Sequence, residues 1–279
     1  MVTAATSVKR VAVGVIQVLL AALFILAAAF PLAWMLIAGF KAKTEVVQTP
    51  FQFFPEVWKF ENYTQILEDP AVLRSVGVTF GGGLLCAALS LVVNSLGAYA
   101  FARLDFAFKR TLWVVVITTM FIPGIAIMLT SFIVVTQLGM LDTMAVLVIP
   151  GAASGLQVFF LRQYYLGVPV ALEEAALIDG AGRWRIFLHI FTPISKGALV
   201  VVGVTSFLAF WNAYIWPVLT ITDPNLFQVQ QYLATFRSER ASEMGLLMAG
   251  STLAALPVIV LFLVFQKQII GGIRITGLK

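Results

Sequence analysis

The sequence is poor in charge, cysteine and histidine. Of its 279 residues, 11% are charged and 61% are hydrophobic, whereas a soluble domain carries roughly 25% charged residues. This composition excludes a soluble globular protein and predicts an integral membrane protein. The single cysteine, Cys86, lies in an apolar run. Neither a disulfide framework nor a cysteine redox centre is therefore expected.

The interiors of the long apolar runs contain no Asp, Glu, Lys, Arg or His, and the only histidine, His189, lies between two of them. Ionisable groups inside a membrane are the usual sites of proton coupling, so a proton-coupled carrier is disfavoured. Sodium coupling through carbonyls and hydroxyls stays open. The phosphate-binding pattern GxxxxGK[ST] is missing as well, so a chain that uses ATP for transport must rely on another subunit to hydrolyse it.

Six apolar segments approach or exceed the roughly 20 residues that cross a bilayer core. They lie at about 11–40, 76–101, 111–136, 143–163, 197–221 and 244–267. We predict an all-α membrane protein with six transmembrane helices in a single domain, 1–279. The first segment is longer than the apolar region of a signal peptide, so we expect it to stay as a span.

The placement of the basic residues predicts the orientation. With both termini in the cytoplasm, the cytoplasmic pieces hold twelve of the 18 Lys and Arg residues, as the positive-inside rule requires. The net charge of +5 flanks the apolar runs, which argues against nucleic acid as a partner. The segment 165–196 then becomes a cytoplasmic loop between the fourth and fifth spans.

Helix-bending and small residues interrupt the apolar segments. Pro123–Gly124 and Pro150–Gly151 predict kinks, because proline removes a backbone hydrogen bond. Gly81–Gly83 predicts a close helix–helix contact, since small residues let backbones approach in lipid.

Asn212 is the best single candidate for a ligand contact, because its amide offers two donors and an acceptor within an apolar segment. Its neighbours Trp211 and Tyr214 present aromatic faces that suit a sugar ring. The alternative interpretation is an interfacial aromatic belt with ordinary packing.

The loop 165–196 predicts a helix–turn–helix. Pro169 opens the first helix, which runs over Glu173–Ile178 and stops at Asp179–Gly180. The second helix is predicted over Arg183–Phe191, ending before Thr192–Pro193. Its apolar residues at helical spacing are Trp184, Phe187, Ile190 and Phe191. A surface of this kind suits either the lipid interface or a protein partner; the acidic, small-sided first helix favours the partner.

The spacing of Glu174-Ala175-Ala176, Gly180, Ile190 and Pro193 resembles the EAA signature of membrane subunits of ATP-binding-cassette importers. With Asp179-Gly180-Ala181 and Phe187, the stretch is similar to the carbohydrate-importing, maltose-type branch. Thr192 and Gly197 depart from the family pattern. Other segments that resemble the family are Asn94–Leu104, Gly139–Thr143, Phe210-Trp211-Asn212 with Pro217, and a tail of Phe265-Gln266, Gly271 and Gly277-Leu278-Lys279.

This resemblance implies a type I importer permease fold in a prokaryotic inner membrane. Two permeases, usually non-identical, would pair above two cytoplasmic ATPases, which bind ATP and magnesium, while an extracytoplasmic binding protein delivers a sugar. The permease would carry no cofactor and catalyse no reaction. The implied coupling residues are Glu174, Ala175, Ala176, Asp179, Gly180, Ala181, Phe187 and Pro193; Trp211, Asn212 and Tyr214 are the expected substrate pathway. The alternatives are a permease of the same architecture that imports glycerol-3-phosphate or another small solute, and a stand-alone secondary carrier.

Overall fold

The computed structural model describes the backbone of residues 2–42, 45–238 and 244–274, and the side chains of 13–42, 45–236 and 244–268. Helices and the turns between them account for this part of the chain, in which no strand occurs. In chain order the helices are α1 (Val2–Ala38), α2 (Glu61–Glu68), α3 (Pro70–Arg103), α4 (Lys109–Thr119), α5 (Gly124–Gln137), α6 (Met144–Ala152), α7 (Gly155–Leu166), α8 (Val170–Ile178), α9 (Arg183–Ile186), α10 (Thr192–Ile194), α11 (Lys196–Trp211), α12 (Ile215–Thr220), α13 (Val229–Ser238) and α14 (Met244–Arg274). The predicted all-α class is confirmed.

Three helices within the described residues are long and apolar enough to cross a membrane alone, namely Val13–Ala38 of α1, the whole of α3, and Met244–Gln268 of α14. Three further membrane-length paths are bent helix pairs: Lys109–Thr119 with Gly124–Gln137 (107°), Met144–Ala152 with Gly155–Leu166 (45°), and Arg183–Ile194 with Lys196–Trp211 (83°). The span count for this part of the chain is therefore three, or up to six if each bent pair is one span. Six spans remain a prediction.

The predicted kink at Pro123–Gly124 coincides with a bend, whereas the break near Pro150–Gly151 comes slightly later in the chain than predicted. Pro123 caps α5 at the 107° bend. Pro150 lies inside α6, and the chain leaves the helix only at Ala153 and Ser154. The predicted segment 197–221 also breaks, because α11 ends at Trp211 and α12 begins at Ile215.

The described chain forms two compact units. One comprises residues up to Asp69 with Leu233–Ala255, and the other comprises Pro70–Tyr232 with residues from Leu256 onward. In the second unit, α3 packs against α6, α7 and α11. A Cβ atom at Gly82 would lie 2.4 Å from Phe210 Cζ, and one at Gly83 would lie 2.9 Å from Phe207. The predicted close helix contact is thus confirmed at these two glycines, whereas Gly81 has open space around it.

A buried polar network in the second unit holds the break between α6 and α7. Asn94 of α3 donates to Ala152 O (2.9 Å) and accepts from the amide of Ser154 (2.9 Å), so it bridges the two helix ends. Gln157 accepts from Asn94 Nδ2 (2.8 Å) and donates to Ser206 Oγ of α11 (2.9 Å). The backbone groups freed by the break therefore find side-chain partners, as burial in an apolar environment demands.

In the first unit, side-chain contacts hold the residues at the end of α1. Lys41 is 1% exposed, donates to Gln52 O at 2.7 Å and lies 5.1 Å from the ring centre of Trp34. Asn62 of α2 donates to Gly39 O (2.9 Å) and Lys41 O (3.0 Å). These contacts fix the backbone at Gly39, Lys41 and Gln52.

Candidate functional site in the loop before α11

The first helix of the loop ends in a Schellman turn. Gly180 has φ +77°, and its amide donates to Leu177 O at 3.0 Å. The amide of Ala181 donates back to Ala176 O at 2.9 Å. These two bonds define the motif and satisfy carbonyls that the helix end would leave free. The predicted helix and its stop at Asp179–Gly180 are confirmed.

The alanines of the predicted signature have different surroundings. Ala175 is exposed. Ala176 and Ala181 are half-buried and pack against an apolar cluster that includes Tyr165 and Phe191. Small side chains at 176 and 181 therefore let the turn lie close to this cluster, which fixes its position.

Glu173 anchors α8 and was missed by the sequence analysis. Glu173 is only 6% exposed. One carboxylate oxygen pairs with Arg183 of α9, and the other lies 3.8 Å from Arg103 Nη1 at the end of α3. Arg103 also donates to Tyr165 O (2.6 Å) and to Val168 O. The cluster ties α3, α7, α8 and α9 together beneath the turn.

The outer side of the turn is exposed and partly apolar. Ile178 is 86% exposed, Trp184 is 67% exposed and Leu188 is 52% exposed. Glu174 and Asp179, two of the predicted coupling residues, are exposed on the same loop. Large apolar side chains grouped with charges on a rigid turn mark a surface that meets a partner or a lipid interface.

The second helix is longer than predicted. It continues past Thr192–Pro193 to Ile194, so the predicted end was wrong. Phe187–Phe191 forms a π turn, in which the amide of Thr192 donates to Phe187 O. The physical reason is that Pro193 lacks an N–H and its ring crowds the carbonyl four residues earlier, and the wider π turn relieves this. The chain then bends by 83° into α11.

The predicted apolar face of this second helix is divided between two environments. Phe187 and Phe191 are buried, and both rings contact Tyr99, with centroids 5.2 and 5.0 Å apart. Trp184 points outward, and Pro193 is exposed. Phe187 is thus a core residue of the loop, while Pro193 lies on its surface.

The three predicted pathway residues lie at the end of α11. Trp211 is 1% exposed, and its ring stacks on Phe207 at 5.6 Å. Asn212 is exposed and donates to Leu208 O of its own helix at 2.9 Å. Tyr214 is 47% exposed. Their role in substrate passage stays a prediction.

A cavity of about 280 Å³ lies in the second unit, between α3, α5, α6, α11 and α12. Its lining residues do not include Trp211, Asn212 or Tyr214. Its polar members are Ser131, Ser206 and Gln228, and none of the lining residues is charged. Gln228 lies in the loop after the fifth predicted span, and no spacing signal in the sequence pointed to it.

Residues 93–275 match the family described as "Binding-protein-dependent transport system inner membrane component". The match includes the loop described above. The segment 275–279, which carries the end of the predicted tail motif, lies outside the residues that the structure describes.

The chain is similar to permease proteins of several transport systems. It is 29% identical over 276 residues to the arabinooligosaccharides transport system permease protein AraQ of Bacillus subtilis, covering 98% of this chain and 97% of that protein. It is 30% identical over 251 residues to the diacetylchitobiose uptake system permease protein NgcG of Streptomyces coelicolor, covering 87% and 82%. The lactose transport system permease protein LacG of Rhizobium radiobacter is 26% identical over 271 residues, covering 96% of this chain and 97% of that protein.

A solved structure shares the fold. It is a crystal structure of a bacterial ABC transporter involved in the import of the acidic polysaccharide alginate. One of its chains superposes with a TM-score of 0.81 at 24% identity, covering 91% of this chain and 95% of that chain. The fold of the present chain is therefore that of an ABC importer permease.

Proposed function

The chain belongs to the binding-protein-dependent transport system inner membrane components, and from this membership we propose that it imports di- or oligosaccharides. It is a multi-pass inner-membrane protein that works in a complex with a binding protein and an ATPase, as its family implies. Similar permeases serve arabinooligosaccharides, diacetylchitobiose and lactose. The uncharged lining of the cavity between α3 and α11 supports a neutral sugar over a phosphorylated solute.

The proposed assembly pairs this chain with a second, non-identical permease above two ATPases. Those ATPases hold ATP and magnesium and carry out hydrolysis, so this chain is not itself an enzyme and needs no cofactor. A binding protein outside the membrane delivers the sugar. Both termini of the chain lie in the cytoplasm in this arrangement, and six spans connect them.

The loop before α11 is the proposed contact with one ATPase. The observation that carries this is its rigid, outward-facing surface of Ile178, Trp184 and Glu174, held from below by the buried Glu173. Apolar side chains on such a turn suit insertion into a groove, and Glu174 adds a charged contact. Ala175 and Asp179 are exposed as well.

The other coupling residues form the turn and the helix that carry this surface. Ala176, Gly180 and Ala181 form the Schellman turn, and Phe187 fixes the second helix in the core. Pro193 lies in the last turn before the 83° bend into α11, so a force on the loop reaches the helix whose far end carries Trp211 and Asn212. We keep these two residues, with Tyr214, as the proposed substrate pathway.

Reconstituted uptake tests the proposal. Vesicles that contain the complete complex, with its binding protein and internal ATP, should accumulate radiolabelled lactose, N,N′-diacetylchitobiose or arabinotriose. Vesicles that contain this chain alone should accumulate none of them. Uptake by the chain alone would establish a stand-alone carrier instead, and uptake of glycerol-3-phosphate without sugar would establish the other alternative.

Gly180→Val tests the coupling role. At φ +77° a β-branched residue costs about 1–2 kcal/mol, although a Cβ there meets open space. We expect ATP-driven uptake to fall at least about tenfold, while the chain still inserts in the membrane. Gly182→Val is the matched control, because Gly182 has φ −72° and equally open surroundings. Equal uptake by the two variants would contradict the coupling role.

A further inference from the structure

The cavity between α3 and α11 contains a buried amide that has no partner. Gln228 is 0% exposed, and neither Oε1 nor Nε2 forms a hydrogen bond within the described part of the chain. Both atoms belong to a residue that lines the cavity. Burying such a group unpaired destabilises a fold, so an amide kept at this position calls for an explanation.

The backbone around Gln228 is held in place. The amide of Val229 donates to Thr79 Oγ1 of α3 (2.8 Å), and the amide of Tyr232 donates to Gln228 O (2.8 Å). The neighbouring Gln231 is also buried; its Nε2 donates to Ile221 O (2.9 Å), while its Oε1 has no partner in the described part of the chain. The backbone at Gln228 is therefore held by its surroundings, while its side-chain amide has no bond of its own within the described residues.

The remaining walls match a sugar ring. Phe210 and Trp216 line the cavity, and Trp216 Nε1 already donates to Val146 O (2.9 Å). Ser131 donates to Ile127 O (2.9 Å), which leaves its hydroxyl oxygen free to accept. The site thus combines apolar aromatic walls with an amide and a hydroxyl, and has no charged residue in its lining.

The size limits what the cavity can hold. At about 280 Å³ it lies at the lower end of small-molecule pockets, which span about 300–1,000 Å³. One sugar ring suits this volume, whereas a whole oligosaccharide does not. A phosphate or carboxylate would be buried here without a compensating charge.

We propose that this cavity binds one neutral sugar ring of the transported saccharide, with Phe210 and Trp216 packing on its apolar face. The amide of Gln228, which is buried beside the cavity, turns toward the ring and hydrogen-bonds to its hydroxyl groups. This inference rests on the proposed function and specifies which part of this chain recognises the cargo. It assigns the recognition to Gln228, separately from Asn212, which bonds within its own helix.

The test measures discrimination between each sugar and its single-deoxy analogues in competition for uptake by the complete transporter. The probes are lactose, N,N′-diacetylchitobiose and arabinotriose. The binding protein contributes the same preference to every permease variant, so a change in the ratio reports the permease. For the hydroxyl that Gln228 contacts, wild type should prefer the parent sugar about three- to tenfold more strongly than Gln228→Leu does.

Gln231→Leu is the matched control, because it removes from the same segment a buried amide whose Nε2 already bonds within the protein and which does not line the cavity. Its discrimination ratios should equal those of wild type. A purely structural role for Gln228 would lower uptake by Gln228→Leu but leave its ratios equal to those of wild type, and that result would overturn the inference.

A second measurement does not depend on Gln228→Leu assembling. In a Cys86→Ser background, Ser131→Cys places a thiol in the cavity, and Thr136→Cys places one elsewhere on α5. The imported sugar should slow alkylation of the first thiol by N-ethylmaleimide and leave the second unchanged. Import without protection would overturn the inference and leave the sugar importer intact. If wild type imports none of the three sugars, the proposed function fails and the inference fails with it.

Discussion

At the scale of single residues, Glu173 and Glu174 show how two adjacent carboxylates take opposite roles. Glu173 is buried between Arg103 and Arg183, and Glu174 faces outward. A buried carboxylate is tolerated only where cations and hydrogen bonds compensate for lost hydration. Helical geometry explains the difference, because neighbouring positions point about 100° apart.

Glu173→Ala should destabilise the protein. It leaves Arg103, whose side chain is 7% exposed, without its counter-charge, and breaking a buried pair costs about 3 kcal/mol. The melting temperature of the purified protein should therefore fall clearly. Glu174→Ala should leave the melting temperature unchanged and lower only ATP-driven uptake, so equal thermal effects would contradict these roles.

Asp142 gives a prediction for pH. Its carboxylate accepts from the amides of Thr222 (2.5 Å) and Asp223 (2.9 Å) and from Thr222 Oγ1 (2.7 Å). These bonds, led by the Asp223 amide, hold the pKa of Asp142 below its ordinary value. A depressed carboxyl pKa contributes stability above the unfolded-state pKa of about 4, and this stability is lost as pH falls through the folded-state pKa.

Asp142→Asn should therefore be less stable than wild type at neutral pH and should lose less on acidification below about pH 4. Asparagine tolerates the φ of +54° at this position, so backbone strain does not confound the comparison. Thermal melts of both proteins at pH 7 and below pH 4 provide the measurement. Parallel pH profiles would show that the carboxylate does not contribute through its ionisation.

At the scale of helical elements, a buried side chain holds one of the broken helix pairs in place. The break between α6 and α7 is held by Asn94, which donates to one side and accepts from the other. Because these freed backbone groups are buried, their partner must be a side chain at a defined distance. Asn94 therefore acts as a structural bridge between α3 and the two halves of the bent pair.

Asn94→Ala should destabilise the second unit by about 2 kcal/mol, since it leaves the Ser154 amide unpaired. Ser95→Ala is the control, because Ser95 is also buried but donates only to Val92 O of its own helix (3.3 Å). Denaturation in mixed detergent micelles, followed by tryptophan fluorescence, measures both variants. Equal effects would mean that Asn94 does not bridge the break.

The sequence predicts these elements unevenly. Apolar run length and the Asp179–Gly180 stop predicted the long helices and the turn of the loop, because each depends on local chemistry. The π turn before Pro193 and the burial of Glu173 depend on what packs behind them, which periodicity does not encode. Gln228 has no local signature, since only the folded arrangement of α3, α5 and α11 forms its cavity.

At the scale of the whole molecule, the distribution of charge determines orientation. Long apolar runs predict that the chain spans the bilayer, and the excess of Lys and Arg in alternate loops predicts which loops face the cytoplasm. Docking of the loop before α11 on an ATPase requires that loop to be inside. The proposed coupling therefore depends on the predicted orientation, so a test of the topology is also a test of the coupling.

Single cysteines can test whether successive loops lie on alternate sides of the membrane. In a Cys86→Ser background they are introduced at the exposed positions Glu56, Asp105 and Asn225. With six spans and both termini inside, a membrane-impermeant maleimide should label Glu56→Cys and Asn225→Cys on intact cells, but Asp105→Cys only after permeabilisation. The bent pairs α4–α5 and α6–α7, together with α11, must then supply an odd number of crossings between 105 and 225. Labelling of Asn225→Cys only after permeabilisation would make that number even. The topology would then no longer place the loop before α11 in the cytoplasm.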